Sequence, residues 1–502
     1  MTRKSTPMRR FTVALAALAL AFTATACAGN GNAAAGDGTS TLRWATSYFP
    51  THWDPVVSGS GAQFRELALV YASLTKTDEK GNAVPDLAES WKYNDTGDQV
   101  TFHLRPNLTF SDGEPVNAAA VKAAIERAKT QKNSALFGDL TSIKTVTASG
   151  DLDVVVQLTQ TDYQIPLLFG ERVLQVASPK ADPTALDQKP VGAGPFIVTQ
   201  LTPGTKAVLK KNPDYWDAKN IHIENVELIS APDAATVVSG LQTGVYNFAD
   251  ITPNNAEAAK AAGLDVFVQP GFNANNISIN VNKAPFTDPM VVDAVRYAIN
   301  RQEFVDKLGF GYGESTDQPF PKKYVAYDPE SADKYAYDPA KAKELLKDVP
   351  PIKLTLVIPA ADPQAEIVQS QLGAVGITVD IKVDKNWATP FFAKDLTLSL
   401  YGTTGRDSAV QTLTAHFGPN GPLNLSSPYQ PDGFDAAVAK VRQTPLESPD
   451  YASVLQAATR AGLESKALVF TYSSPNLLAK SKSVSALPAN PGHIDWNGVT
   501  IA

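Results

Sequence analysis

Val84-Pro85-Asp86-Leu87-Ala88-Glu89-Ser90-Trp91 is the most informative run of this chain, together with Thr101-Phe102-His103-Leu104-Arg105-Pro106-Asn107 and Phe110-Ser111-Asp112-Gly113-Glu114-Pro115-Val116. Val100, Phe102 and Leu104 alternate with polar residues, as in a strand with one buried face. Leu87, Trp91 and Leu104 are core candidates. Asp112-Gly113 suits a turn, because glycine tolerates positive φ. Asn117 then stands where it can cap a helix carrying Val121, Ile125 and Ala128 on one face.

The same signals alternate on both sides of this run. Val154–Leu158, Ala207–Lys210, Val226–Ile229, Ile277–Val281, Ile352–Ile358, Ile377–Val383 and Leu396–Tyr401 read as strands. Asp288-Pro289 places a cap and a first-turn proline before Val291, Val295, Ala298 and Ile299. Asp338-Pro339 does the same before Ala342, Leu345 and Leu346, and Ser448-Pro449 before Leu455, Ala458 and Leu463. The pattern predicts a mixed α/β architecture.

The chain has 502 residues, 43% hydrophobic and 19% charged, enough for two or three domains with sizeable cores. Its formal net charge is −7, and the cations Arg3, Lys4, Arg9 and Arg10 precede residue 27 with no acid among them. An acidic body without a basic stripe argues against nucleic-acid binding. A single Cys excludes an intramolecular disulfide and a Cys-based zinc site. The five His (His52, His103, His222, His416, His493) form no metal-spaced pair.

Residues 1–26 read as a signal peptide: a basic start, then the apolar run Phe11–Phe22, well short of the roughly 20 residues that span a bilayer. Ala24-Thr25-Ala26-Cys27 resembles a bacterial lipobox, with Ala24 where Leu is usual, so Cys27 is the candidate lipidation site. Its acyl chains would tether the protein at a membrane. The alternative is plain secretion with an incidental thiol. Residues 27–41 are small, polar and Gly-rich, and read as a flexible tether.

Enzyme signatures are missing. There is no G-x-S-x-G, H-E-x-x-H or P-loop lysine pattern. Gly309-Phe310-Gly311-Tyr312-Gly313 follows a helix rather than a strand and reads as a turn after Leu308. No catalytic residue and no cofactor is expected.

Ordered along the chain, these segments resemble the family 5 extracellular solute-binding proteins, the receptors of peptide, nickel and related ABC importers. The opening run is similar to the family's P-x-L-A-x-S-W, F-x-L-R-x-G and F-x-D-G-x-P, with Asn107 in place of the usual Gly. Val191-Gly192-Ala193-Gly194-Pro195-Phe196 resembles V-G-T-G-P-Y, and Asn212-Pro213-Asp214-Tyr215-Trp216 matches N-x-x-Y-W. Asn280–Asp288, Ala294–Arg301 and Tyr337–Ala342 resemble further family segments. These motifs also have a structural reading: Gly192 and Gly194 beside Pro195 suit a tight strand entrance and need not touch a ligand.

The resemblance implies an α/β, two-lobed periplasmic-binding-protein-like fold of class II type, with an extra subdomain on the first lobe. Mapped here, lobe I takes 42–58, 178–270 and 476–502, the subdomain 59–177, and lobe II 271–475. Function in such a fold is closure around a solute, read by membrane permease subunits. Peptide binders of the family carry Trp-x-x-Asp-Tyr in the second lobe, the Asp taking the peptide ammonium. An ungapped match puts Tyr401 at the Trp and Thr404 at the Asp, with Asp407 three residues late beside Arg406. Either Asp407 serves as a shifted anchor, or the anchor is absent. Arg406 could instead clamp a carboxylate, and Arg406-Asp407 could equally be a surface pair. Tyr48, Trp53, Trp387 and Tyr401 are candidate pocket walls.

Three readings compete: a monomeric lipoprotein receptor for peptides or peptide-like solutes; the same receptor for a nickel or other metal chelate, in which His416 would matter; and, remotely, a secreted hydrolase. The first two place the protein outside the cytoplasmic membrane, lipid-anchored or periplasmic.

Overall fold

A computed structural model describes residues 40–502 apart from 59–62, 79, 171, 232, 270–273, 404–407, 475 and 488–493. The signal segment, Cys27, most of the tether, and Thr404, Arg406 and Asp407 lie outside the described residues.

Three sheets organise the chain. A seven-stranded sheet runs in the order Asp265–Gln269, Asn476–Lys480, Phe248–Ile251, Thr41–Thr46, Asn225–Ser230, Lys206–Lys211, Phe196–Thr202. Thr41–Thr46 is parallel to both neighbours, Trp44 lying opposite Leu228 on one side and Phe248 on the other. Trp44, Phe248 and Trp496 meet edge-on or tilted at 5.5–5.7 Å. Each such pair adds about 0.5–1.5 kcal/mol beyond burial. A five-stranded sheet, Ile377–Val383, Ile352–Ile358, Leu398–Thr403, Ala274–Ile279, Leu468–Phe470, forms the second lobe. Between strands Thr41–Thr46 and Phe196–Thr202 the chain builds a four-stranded antiparallel sheet, Ala88–Tyr93, Gln99–Leu104, Asp153–Leu158, Ile143–Ser149. The chain passes between the seven- and five-stranded sheets twice, after Gln269 and before Asn476.

The helix starts follow from their caps. Asn117 Oδ1 accepts from the Ala120 amide (2.9 Å), and Val121, Ile125 and Ala128 of Ala118–Thr130 are buried on the four-stranded sheet. Asp288, Asp338 and Asp362 cap Pro289–Ala298, Pro339–Leu346 and Pro363–Ala374 in the second lobe.

The small subdomain is bound tightly to the first lobe. Asp86 is fully buried; its Oδ1 accepts from Trp216 Nε1 (2.8 Å) and lies 3.2 Å from Lys76 Nζ, and its Oδ2 accepts from the Ser73 amide (3.1 Å). Arg105 stacks over the Trp216 ring at 4.0 Å, and Arg127 pairs with Asp54. At the strand entrance a Cβ on Gly192 would lie 2.2 Å from the Val70 carbonyl oxygen, and one on Gly194 2.5 Å from the Val70 carbonyl carbon. Both glycines are needed because two backbones touch there.

Several expected boundaries shift. The strand expected at Ile277–Val281 is Ala274–Ile279, and the one expected at Leu396–Tyr401 is Leu398–Thr403. The Asn280 side chain takes the carbonyls of Lys394 and Leu396 (3.0 and 3.1 Å), so the ladder starts later. Ser448-Pro449 does not open a helix: Ser448–Tyr451 is a turn, and the helix Tyr451–Leu463 follows Asp450. Ile299 caps its helix rather than lying within it. Trp91 is half-buried, packed against the core from its edge. Gly309 ends the helix Arg301–Leu308, and Gly311 and Gly313 adopt positive φ in a turn. Among the described residues no helix is long and apolar enough to cross a membrane.

Candidate functional site

In open α/β sheets, ligands bind outside the carboxyl ends of the strands. On the first lobe, Thr46 and Asp250 mark those ends. Behind them lies a buried ionic cluster. Arg65 Nη2 donates to Asp250 Oδ1 (2.9 Å) and Glu66 Oε1 (3.2 Å), and Nη1 donates to Gln269 Oε1 (3.2 Å). Thr46 Oγ1 donates to Glu66 Oε1 (2.7 Å), and the Ser47 amide to Asp250 Oδ2 (3.3 Å). The Arg65 guanidinium also lies over the Trp44 and Tyr48 rings at 5.6 and 5.5 Å. One arginine faces two buried carboxylates, so one of them carries the excess charge. Burial pushes the Glu66 carboxyl up to about 7, against the pull of Arg65 and with the help of Asp250. Glu66 Oε2 is buried with no hydrogen-bond partner.

On the second lobe an aromatic stack stands at the corresponding strand ends. Trp387, Phe391 and Tyr401 lie nearly parallel, with centroids 4.5 Å (Trp387–Phe391), 5.4 Å (Phe391–Tyr401) and 5.8 Å (Trp387–Tyr401) apart. Trp387 is fixed by its Nε1–H donating to Ser399 Oγ (2.6 Å), which donates to the Val357 carbonyl (2.7 Å). Trp387 and Tyr401 line a cavity of about 380 Å³ with Ile358, Asp362 and Leu400.

Tyr401 also borders a larger cavity of about 600 Å³ between the subdomain and the second lobe. The subdomain contributes Asp139, Asp162, Gln164 and Arg172; the second lobe contributes Phe392, Ser408, Gln411 and Arg442. A cavity of this size suits a small organic solute. Its walls combine a half-exposed aromatic, Phe392, with carboxylates and guanidinia, a lining that can hold an apolar group and orient a polar one.

The expected site residues fall in different surroundings. Trp387 and Tyr401 are brought together beside the smaller cavity, and Tyr401 alone of the two also borders the larger one. Tyr48 is 41% exposed beside Arg65 on the first lobe. Trp53 is 2% exposed in the first lobe's core, packed against Phe49, and lines neither cavity. His416 is buried in its helix, Nδ1 2.7 Å from the Thr412 carbonyl and its ring against Phe470. Among the described residues no three of His, Cys, Asp or Glu are grouped to hold a metal ion. Thr404, Arg406 and Asp407 are outside the described residues, just before Ser408, which caps the cavity-lining helix Ala409–Phe417. Sequence reading missed Arg65, Glu66, Asp250 and the acids and arginines of the larger cavity. One signal was present: two charged residues inside the otherwise apolar Phe64-Arg65-Glu66-Leu67.

Comparison with known proteins agrees with this architecture. A family model described as "Bacterial extracellular solute-binding proteins, family 5 Middle" matches residues 82–423. Di/tripeptide-binding protein 3 of Pseudomonas aeruginosa is 28% identical over 391 residues, covering 69% of this chain and 73% of that protein. Among solved structures, the periplasmic binding protein DppA from Helicobacter pylori, in complex with the peptide STSA, superposes with a TM-score of 0.80 at 21% identity, over 92% of this chain and 98% of that one. NikZ from Campylobacter jejuni, in complex with Ni(L-His), superposes with a TM-score of 0.77 at 20% identity, over 90% and 96% of the two chains. These two likenesses fix the fold.

Proposed function

The chain belongs to the bacterial extracellular solute-binding proteins of family 5, and on that premise we propose that it captures peptides or peptide-like solutes between its two lobes and delivers them to the permease subunits of an ABC importer. The observation carrying this reading is the aromatic stack of Trp387, Phe391 and Tyr401 at the strand ends of the second lobe, whose outer member Tyr401 borders, with Phe392, a cavity of about 600 Å³. The Pseudomonas relative, a di/tripeptide-binding protein by name, supports the ligand class. In this reading lobe I takes 42–58, 178–270 and 476–502, the subdomain 59–177 and lobe II 271–475. The protein works as a monomer without catalysis. Native mass spectrometry of the purified protein tests this: the expected result is a co-purified peptide, one per chain and chemically intact. A released hydrolysis product would contradict it.

Ligand contact in the segment 404–407 belongs to the same proposal. If Asp407 holds a ligand ammonium, Asp407→Asn costs on the order of 2–5 kcal/mol, about 30- to 5,000-fold in affinity. If Arg406 clamps a carboxylate, Arg406→Lys weakens binding because lysine lacks the planar fork. Affinity within about twofold of wild type in both variants identifies a surface pair instead.

The membrane tether is proposed at Cys27, supported by the basic start, the short apolar run and the small residues before the cysteine. Cys27→Ala should release the protein or leave the precursor unprocessed; a processed Cys27→Ala form retained at the membrane would contradict lipidation.

A metal chelate is the second reading. The likeness of the fold to NikZ with bound Ni(L-His) favours it, although His416, the imidazole expected to matter, is buried on the Thr412 carbonyl and lines neither cavity. Its mark is saturable binding of a nickel–histidine complex with no peptide bound.

A further inference from the structure

We propose that the subdomain and the second lobe are joined by a polar latch, centred on Asp162 and Arg442, that sets how readily the receptor closes. The proposal rests on the reading that capture works by lobe closure.

Four contacts make the latch, each between residues far apart in the chain. Arg442 forms an ion pair with Asp162, whose side chain is only 1% exposed. The Tyr163 amide donates to the Arg442 carbonyl (2.8 Å). Tyr451 Oη donates to Gln164 Oε1 (2.9 Å), and Gln411 Nε2 donates to Asp139 Oδ1 (3.1 Å). Three helices of the second lobe, Ala409–Phe417, Phe434–Gln443 and Tyr451–Leu463, thus converge on one edge of the subdomain.

Their placement gives them a mechanical role. The subdomain is held to the first lobe by the buried Asp86 with Trp216 and Lys76, and by Arg127 with Asp54. It therefore moves with that lobe. The second lobe is tied to the pair covalently only through the two crossings after Gln269 and before Asn476. Any separation of the second lobe from the subdomain must pull Arg442, Tyr451 and Gln411 away from their partners. Every latch bond is protein to protein, so the latch favours the arrangement that holds the second lobe against the subdomain, whichever solute is bound. Apparent affinity scales with the fraction of molecules in the competent state. The latch thus tunes affinity for all ligands by a common factor, apart from any contact that a ligand makes with Asp162 or Arg442 in the cavity wall.

The Tyr163 amide is a built-in reporter, because its acceptor is a backbone carbonyl that survives substitution of the Arg442 side chain. Hydrogen exchange is measured on the full-length protein without added ligand, in wild type, Arg442→Ala and Tyr451→Phe. In Arg442→Ala the Tyr163 amide is expected to exchange at least about tenfold faster, and in Tyr451→Phe by a smaller factor. Strands Gln99–Leu104 and Asp153–Leu158 should keep wild-type protection, showing that the subdomain remains folded. Unchanged exchange at Tyr163 in Arg442→Ala would overturn the latch. So would acceleration of the strand amides by the same factor, which would mean that the subdomain unfolds rather than swings. Failure of the closure reading has a different sign: scattering that shows no compaction at saturating ligand while Tyr163 responds as expected.

Discussion

Trp216 Nε1 donates a 2.8 Å hydrogen bond to Asp86 Oδ1, joining two motifs separated by 130 residues of chain. With Lys76 on the same carboxylate oxygen, this contact seats the subdomain on the first lobe. Asp86→Ala leaves Lys76 without its counter-charge and Trp216 without its acceptor. The expected cost is about 3–5 kcal/mol, the range for breaking a buried pair from one side. Denaturant midpoints check it, and a loss below about 1 kcal/mol would show that the contact is not structural.

Gly192→Ala is expected to destabilise by about 1–3 kcal/mol or more, because its Cβ would sit 2.2 Å from the Val70 carbonyl oxygen and backbone cannot yield cheaply. The exposed Gly138, without positive φ and with nothing within 4 Å of a built Cβ, is the control for crowding. Equal melting shifts at the two positions would contradict the close-approach account.

Glu66 gives the fold a pH dependence. Burial raises its carboxyl from the ordinary 4.5 to about 7. Between those values the folded state holds a proton that the unfolded state has released. Its contribution is therefore fully present below about 4.5 and lost as pH rises through about 7. Wild type should lose stability across this window relative to Glu66→Gln, which keeps an acceptor for Thr46 but does not titrate. Parallel stability profiles for the two proteins would contradict this.

Much of the frame was legible in the sequence because it is local. Caps such as Asn117 and Asp288-Pro289 announce helices, and alternation at Val100, Phe102 and Leu104 announces a strand. Asp86 and Trp216 were visible as motif residues, yet nothing in their spacing says that they bond to each other. The candidate site is harder to read because it is assembled from distant segments: Arg65 meets Asp250 across 185 residues, and Arg442 meets Asp162 across 280. Trp53 shows the opposite failure, since an aromatic residue expected in a pocket wall is packed into the core. The Ser448-Pro449 pair shows that cap chemistry can serve a turn just ahead of a helix.

Tyr401 should contribute to ligand affinity through its face. It stacks on Phe391 and borders both cavities. Tyr401→Ala is expected to weaken peptide binding about 2- to 13-fold, matching an aromatic contact of roughly 0.5–1.5 kcal/mol. Tyr401→Phe should stay near wild type. Unaltered affinity in Tyr401→Ala would place the ligand elsewhere.

Calorimetric titration of the purified protein with a panel of di- and tripeptides addresses peptide capture between the lobes most directly. The expected result is saturable binding of at least one peptide, one per chain, with a negative heat-capacity change from apolar surface buried on closure. Absence of saturable binding for every peptide up to millimolar concentration, with a nickel–histidine complex binding in their place, would contradict it.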